Sequence, residues 1–158
     1  MNSGYFVELP EAVKLRKHWH ERDMRVVFTN GCFDLLHPGH VSYLEDARKM
    51  GDVLVVGLNS DDSIRRLKGP FRPVNSLSDR AHMLAALRSV DLVVPFSEDT
   101  PINLIRALLP DVLVKGGDYR PDDIVGAREV CKAGGEVIVV PFLGGYSSSA
   151  LIDRIKQL

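Results

Sequence analysis

Residues 25–50 read RVVFTNGCFDLLHPGHVSYLEDARKM, and the rest of the chain is organised around them. Val26-Val27-Phe28 is a short apolar strand that empties into a tight turn at Thr29-Asn30-Gly31. Cys32-Phe33-Asp34-Leu35-Leu36 and His37-Pro38-Gly39-His40 follow, and then the period changes. Val41, Leu44 and Ala47 recur at helical spacing, with Glu45, Asp46, Arg48 and Lys49 between them. Pro38 suits the first helical turn, where its missing N–H costs little. A helix opening directly after a strand aims free backbone N–H groups and the positive end of its dipole over the strand's end. That is a seat for anionic phosphate.

His37 and His40 flank Pro38-Gly39, so both rings can face the same side, and Gly39 lets a bulky ligand approach the backbone. The pair fits three roles: groups acting on a phosphate, a surface pair at a helix start, or two ligands of a metal. The strand–turn–helix setting and the upstream Gly31-x-Phe33-Asp34 favour the first.

A chain of 158 residues points to one domain with a single sizeable core. It is 45% hydrophobic and 26% charged, with a formal net charge of −1. Without a charge excess nothing drives binding to nucleic acid or to a membrane surface, so an anionic ligand must meet a local cluster. Cys32 and Cys131 form neither a disulfide framework nor a zinc motif. The N-terminus lacks a basic-then-apolar signal pattern, and no apolar run approaches membrane-spanning length. The expectation is a cytoplasmic protein with no nucleic-acid and no membrane partner; a homo-oligomer is left open.

Working outward, residues 1–24 read as an N-terminal extension with a loose start and a helix from Leu9-Pro10-Glu11 to about Asp23. Residues 25–158 then form the domain proper. The helix is amphipathic on Ala12, Val13, Leu15 and Trp19. Val53–Leu58 is a second buried strand, followed by a polar loop from Asn59 that carries Arg65, Arg66, Lys68 and Arg72. Ser78 caps a helix over Asp79–Ser89 containing Arg80, and Asp91–Pro95 is a third strand. Pro101 opens a helix ending near Leu109-Pro110, and Asp111–Val114 is a fourth strand whose exit holds Lys115-Gly116-Gly117-Asp118-Tyr119. Asp122–Ala133 reads as helix, Glu136–Val140 as a fifth strand, and Ala150–Lys156 as a last helix. Ahead of it, Gly144-Gly145-Tyr146-Ser147-Ser148-Ser149 supplies either helix caps or a second phosphate cradle.

Five strands alternating with helical crossovers predict a Rossmann-like, doubly wound, five-stranded parallel sheet with helices on both faces. Each special loop follows a strand, so all of them share one edge of the sheet, where open α/β sheets bind ligands. There is no P-loop, no Gly-x-Gly-x-x-Gly and no Gly-x-Ser-x-Gly elbow. P-loop kinases, NAD sites and α/β-hydrolases are therefore disfavoured.

Three patches resemble the cytidylyltransferase-like branch of the small nucleotidyltransferases: the His-x-x-His within Gly31–His40, Arg80 in Ser78-Asp79-Arg80, and Gly145–Ser149. More narrowly, several stretches look like the heptose 1-phosphate adenylyltransferases, bacterial enzymes of ADP-heptose synthesis for lipopolysaccharide. These are Phe28–Asp34, Asn59-Ser60-Asp61, Arg66–Gly69, Arg72-Pro73-Val74-Asn75 and Leu113–Tyr119. The likeness runs from about Arg25 to the C-terminus. The sugar-kinase domain often fused ahead of this unit is not in this sequence, as in the stand-alone form. The resemblance implies transfer of AMP from ATP to heptose 1-phosphate, with Mg²⁺ arriving on the ATP and no protein metal ligands. It implies His37, His40 and Lys115 as catalytic residues. Thr29, Asn30, Gly31, Phe33, Asp34, Gly39, Arg80, Ser147 and Ser148 would bind the nucleotide, and Asn59, Lys68, Arg72, Gly116 and Asp118 the sugar phosphate. Asp34 serves equally as an orienting group or a turn cap. One departure is Phe142, which stands where glycerol 3-phosphate cytidylyltransferases carry an Arg ahead of the Ser-rich stretch. A cytidylyltransferase for a polyol or amino-alcohol phosphate, and a non-catalytic nucleotide-binding module, are the competing expectations.

Overall fold

The strand that begins the central stretch runs further than its apolar run, from Val26 to Gly31, and lies in the middle of a six-stranded, all-parallel sheet. The structure is a computed structural model and describes residues 5–158. In chain order the strands are β1 (Tyr5–Phe6), β2 (Val26–Gly31), β3 (Val53–Asn59), β4 (Leu92–Phe96), β5 (Val112–Gly116) and β6 (Glu136–Val140). The helices are α1 (Leu9–His20), α2 (Pro38–Arg48), α3 (Asp61–Lys68), α4 (Leu77–Ala85), α5 (Ile102–Leu108), α6 (Ala127–Lys132) and α7 (Ser148–Lys156).

Side chains alternate across a strand, and here both faces are apolar. Val26 and Phe28 join one core with Ala12, Leu104, Ile105 and Val130, under α1, α5 and α6. Val27 joins the other with Tyr43, Leu44, Ala81 and Leu84, under α2 and α4. Burial on both faces explains why the strands read as near-continuous Val/Leu runs. Fully burying a side chain such as Phe28 contributes roughly 1.5–3 kcal/mol.

The sheet order is β1-β4-β3-β2-β5-β6. From β2 the chain steps outward to β3 and β4 on one side, then returns to lay β5 and β6 on the other. The crevice above the carboxyl ends of β2 and β5 is therefore the topological switch point, the ligand position of open α/β sheets. The expected convergence of the post-strand loops on one edge follows from this topology.

Several expectations are corrected. The sheet has six strands rather than five, because Tyr5 and Phe6 pair with Leu92 and Val93 at the edge. Two residues are too few to show a period, so the start read as loose. The polar loop after β3 contains α3, capped by Ser60, with Asp61 and Asp62 in its first turn and Arg65, Arg66 and Lys68 in its last. That is the charge order a helix dipole favours. The cap of α4 is Ser76 rather than Ser78, accepting the Asp79 N–H at 3.2 Å. The helix expected over Asp122–Ala133 is broken: a 3-10 turn at Pro121–Asp123 is separated from α6 by Gly126 at φ 85°. The last helix opens earlier than expected, at Ser148 with Ser147 as its cap.

Candidate active site

The two histidines are brought together. The His37 and His40 rings stack with centroids 3.7 Å apart and planes 17° off parallel. His37 is the N-cap of α2, and its Nδ1 accepts the His40 N–H at 3.3 Å. An Nδ1 that accepts leaves the proton of neutral His37 on Nε2, which becomes a donor. Gly39 makes this possible. A Cβ there would lie 3.0 Å from the His37 ring and 3.1 Å from Tyr146 Cβ. Phe33 backs His40 with ring centroids 5.1 Å apart, and it holds a left-handed backbone at φ 46°, where the chain turns out of β2. Both histidines are pushed toward the neutral form: burial lowers His37, while burial, then the nearby charges of His37 and Lys68, lower His40 to about 4. No hydrogen bond reaches the buried Nδ1 of His40.

His40 opens into a cavity of about 160 Å³ above the β2–β5 crevice. Asn30, Gly31, Phe33 and Asp34 line it from the β2 exit, Lys68 from α3, Lys115 and Gly116 from β5, and Ser148 from α7. Four separate post-strand segments thus meet on one space. Lys68 and Lys115 matter electrostatically. The ion pairs of the described residues tie Arg65 to Asp62, Arg66 to Asp99, Arg72 to Asp34 and Arg80 to Asp61, and include neither lysine. Lys115 is half-buried, and desolvation lowers its pKa from the ordinary value. A half-buried cation with no carboxylate partner among the described residues is poised to receive an anion. Around this space α2 and α7 both present N-termini. Ser147 caps α7 by accepting the Ala150 N–H at 3.0 Å, and the Ser148 hydroxyl ties that helix to the Leu35 carbonyl at 3.3 Å.

Other expected site residues are occupied in holding the loops. Asp34 is 1% exposed, and its carboxylate accepts from Arg72 Nε at 2.7 Å, Val74 N at 2.8 Å and Asn75 N at 2.9 Å. Burial alone would raise its pKa, but the Asn75 and Val74 N–H groups and Arg72 together hold it below the usual carboxylate value. Asp34 therefore latches the β2–α2 loop to the segment ahead of α4. Arg80 is 0% exposed. It donates to the carbonyls of Asn75, Cys32 and Asn59 and to the Asp61 carboxylate at 2.7–3.1 Å. In this structure it is a strut between β2, β3, α3 and α4, and it does not line the cavity. Asn59 bonds Ser63 at 3.0 Å. Thr29 lies 2.6 Å from the Tyr43 hydroxyl, which donates to Val114 O. Asp118 is exposed beside the site and lines no part of the cavity.

Three lining residues escaped the sequence reading of the site: Cys32, Tyr43 and Phe142. Tyr43 was legible as the residue one helical turn beyond His40. Burial raises its hydroxyl pKa to about 12, so it is a neutral polar wall. The arrangement can bind a polyphosphate, offset its one lining carboxylate, Asp34, with Arg72, and present neutral imidazoles to a phosphoryl group.

A family model described as cytidylyltransferase-like matches residues 28–154. The chain is 56% identical over 151 residues to the bifunctional protein HldE of Haemophilus influenzae, covering 96% of this chain and 31% of that protein. It is 59% identical over 137 residues to the HldE of Pasteurella multocida, covering 87% and 29% respectively. The chain therefore spans about a third of the length of these curated relatives. Among solved structures, a lipopolysaccharide core biosynthesis protein from Thermoplasma volcanium aligns with TM-score 0.60 at 29% identity, over 76% of this chain and 97% of that one. A pantoate–β-alanine ligase from Francisella tularensis shares the fold, with TM-score 0.61 at 14% identity over 98% of this chain and 78% of that one.

Proposed function

This chain belongs to the cytidylyltransferase-like family, and on that premise we propose that it transfers AMP from ATP to heptose 1-phosphate, releasing pyrophosphate and giving ADP-heptose. The observation that carries this function is the stacked His37–His40 pair, with His40 opening into a space lined by the first residue of α7 and by two lysines that enter none of the ion pairs among the described residues. Supply of a lipopolysaccharide precursor accords with the similarity to the lipopolysaccharide core biosynthesis protein of Thermoplasma volcanium and with the resemblance in the Asn59–Asn75 and Leu113–Tyr119 segments.

A phosphate oxygen of the acceptor attacks the α-phosphorus of ATP, the bond to the bridging oxygen breaks, and pyrophosphate leaves with the electron pair. The acceptor is already anionic at neutral pH, so no protein nucleophile or general base is needed. Catalysis is then positioning and charge stabilisation. His37 Nε2–H and the neutral His40 ring donate to the phosphoryl oxygens. Two neutral rings place donors there without the cost of burying two cations. Lys115 and the α7 N-terminus, with the Ser148 hydroxyl, receive the outer phosphates, and Lys68 on the β3 side receives the acceptor's phosphate.

Mg²⁺ enters with the nucleotide. The residues present do not build a protein-held site for it: Asp34, the one carboxylate among the cavity's lining residues, has both oxygens engaged by Arg72, Val74 and Asn75. The ion's ligands are then triphosphate oxygens and water.

A pyrophosphate-release assay crossing ATP and CTP with heptose 1-phosphate, other sugar 1-phosphates and glycerol 3-phosphate tests this function. The expected result is turnover with ATP and heptose 1-phosphate. A preference for CTP with glycerol 3-phosphate would replace the acceptor and nucleotide while sparing the chemistry. No pyrophosphate from any pair would refute it.

A further inference from the structure

The cavity of about 160 Å³ is smaller than the nucleotide it would have to hold. Small-molecule sites run from roughly 300 Å³ upward, and this cavity is open to solvent, so part of a bound nucleotide lies along the walls at its mouth. Phe142 forms one of these walls. The residue is 65% exposed. It lies just beyond Val140, where the pairing of β6 with Gly116 ends, in a run from Pro141 to Ser147 that is exposed throughout. The ring rests on bare backbone: a Cβ on Gly116 would lie 2.5 Å from its Cε1, and one on Gly117 would lie 2.9 Å from its Cε2. Behind that ledge stands Tyr43, whose ring centroid is 6.4 Å from that of Phe142.

Topology says which part of the substrate meets the ledge. Gly116, Phe142 and α7 all belong to the β5–β6 side of the crevice, whereas Lys68 belongs to the β3 side. With the triphosphate at the α7 N-terminus, the nucleotide occupies the β5–β6 side and the acceptor occupies the other. The base then falls on the Gly116–Gly117 ledge.

We propose that Phe142 is a nucleobase-stacking, specificity-determining residue: the ring lifts from Gly116–Gly117, the base takes its place on the bare backbone, and the ring closes on the base's other face. The assignment rests on the nucleotidyl-transfer function proposed above and adds the residue that reads the base. A purine offers a larger face than a pyrimidine, so the same contact favours ATP over CTP.

The test compares dissociation constants of ATP, CTP and inorganic tripolyphosphate for the full chain and its Phe142→Ala and Phe142→Trp variants, by calorimetry. Phe142→Ala should weaken ATP by about tenfold to a hundredfold, the scale of base–aromatic stacking. It should weaken CTP less and leave tripolyphosphate unchanged, while Phe142→Trp retains ATP. Equal losses of ATP and tripolyphosphate would make the ring a mere prop for the α7 loop and overturn the assignment. So would an unchanged ATP affinity in Phe142→Ala. Adenylyl transfer by the unmodified chain, measured separately, tests the reaction and not the ring.

Discussion

His37 accepts the backbone N–H of His40 and stacks on its ring at 3.7 Å, so each histidine positions the other. The cap fixes the His37 tautomer, and the stack with Phe33 and His37 shields part of the His40 ring from water. Neither ring is a generic surface histidine.

Replacing either ring should remove a transition-state donor. His40→Ala is expected to lower kcat by about 10²–10³-fold. For His37 the cleaner variant is Asn, a good N-cap that keeps the helix start while losing the ring. His37→Asn should therefore hold its melting temperature and lose turnover. Near-native kcat in either variant would remove the pair from the chemistry.

Acidification should find His40 late. Its folded pKa is about 4 against an ordinary 6.5. Between those values the unfolded chain takes up a proton that the folded site refuses, so the site's contribution to stability, complete above 6.5, falls as pH drops toward 4. Ring resonances followed by NMR should keep His40 in its neutral form through pH 6. Titration near 6.5 would contradict the burial described here, and His40→Asn should flatten the stability loss over the same window.

Arg80 should behave as a strut. Arg80→Met leaves three carbonyls and Asp61 without their donor, and breaking a buried pair by removing one partner costs about 3–5 kcal/mol. Thermal unfolding should show a fall of roughly 10 °C in Tm. An unchanged Tm with a raised KM for ATP would instead make Arg80 a phosphate ligand. Asp34→Asn, which loses the charge facing Arg72, should be destabilising in the same direction.

The two serines at α7 should separate. Ser147→Ala loses the cap on the Ala150 N–H, about 1 kcal/mol, seen in Tm. Ser148→Ala should raise KM for ATP more than KM for the acceptor, because Ser148 lines the cavity at the helix start. A selective loss of acceptor affinity would reverse the orientation proposed for the two substrates.

Much of the site was legible because its signals are local. The His37-Pro38-Gly39-His40 turn, the capping serine of α7 and the Lys115-Gly116 exit each announce themselves within a few residues of a strand end. The α3 helix was equally local. Ser60 followed by acidic and then basic residues is a cap and a dipole-matched helix, but its low apolar content made it read as loop. Phe142 was noticed only as a departure, since nothing local says that its ring lies on Gly116 and Gly117, residues of another strand's exit.

Sequence alone determined the alternation of strands and helices, the buried parallel character of the sheet, and the strand exits on which the site would be built. Periodicity and capping act over a few residues, and the chain writes them directly. Tertiary structure decided which polar groups remain available to a ligand. Arg80, Asp34, Lys68 and Lys115 look alike as charges near a strand's end. The first two are spent on partners, Cys32 O for Arg80 and Arg72 with the Val74 and Asn75 amides for Asp34, lying 38 to 48 residues away. The two lysines have no such partner among the ion pairs of the described residues. A buried charge must find its counterpart wherever the fold supplies one. Only the packing of β2, β3, α3 and α4 tells a latch from a ligand.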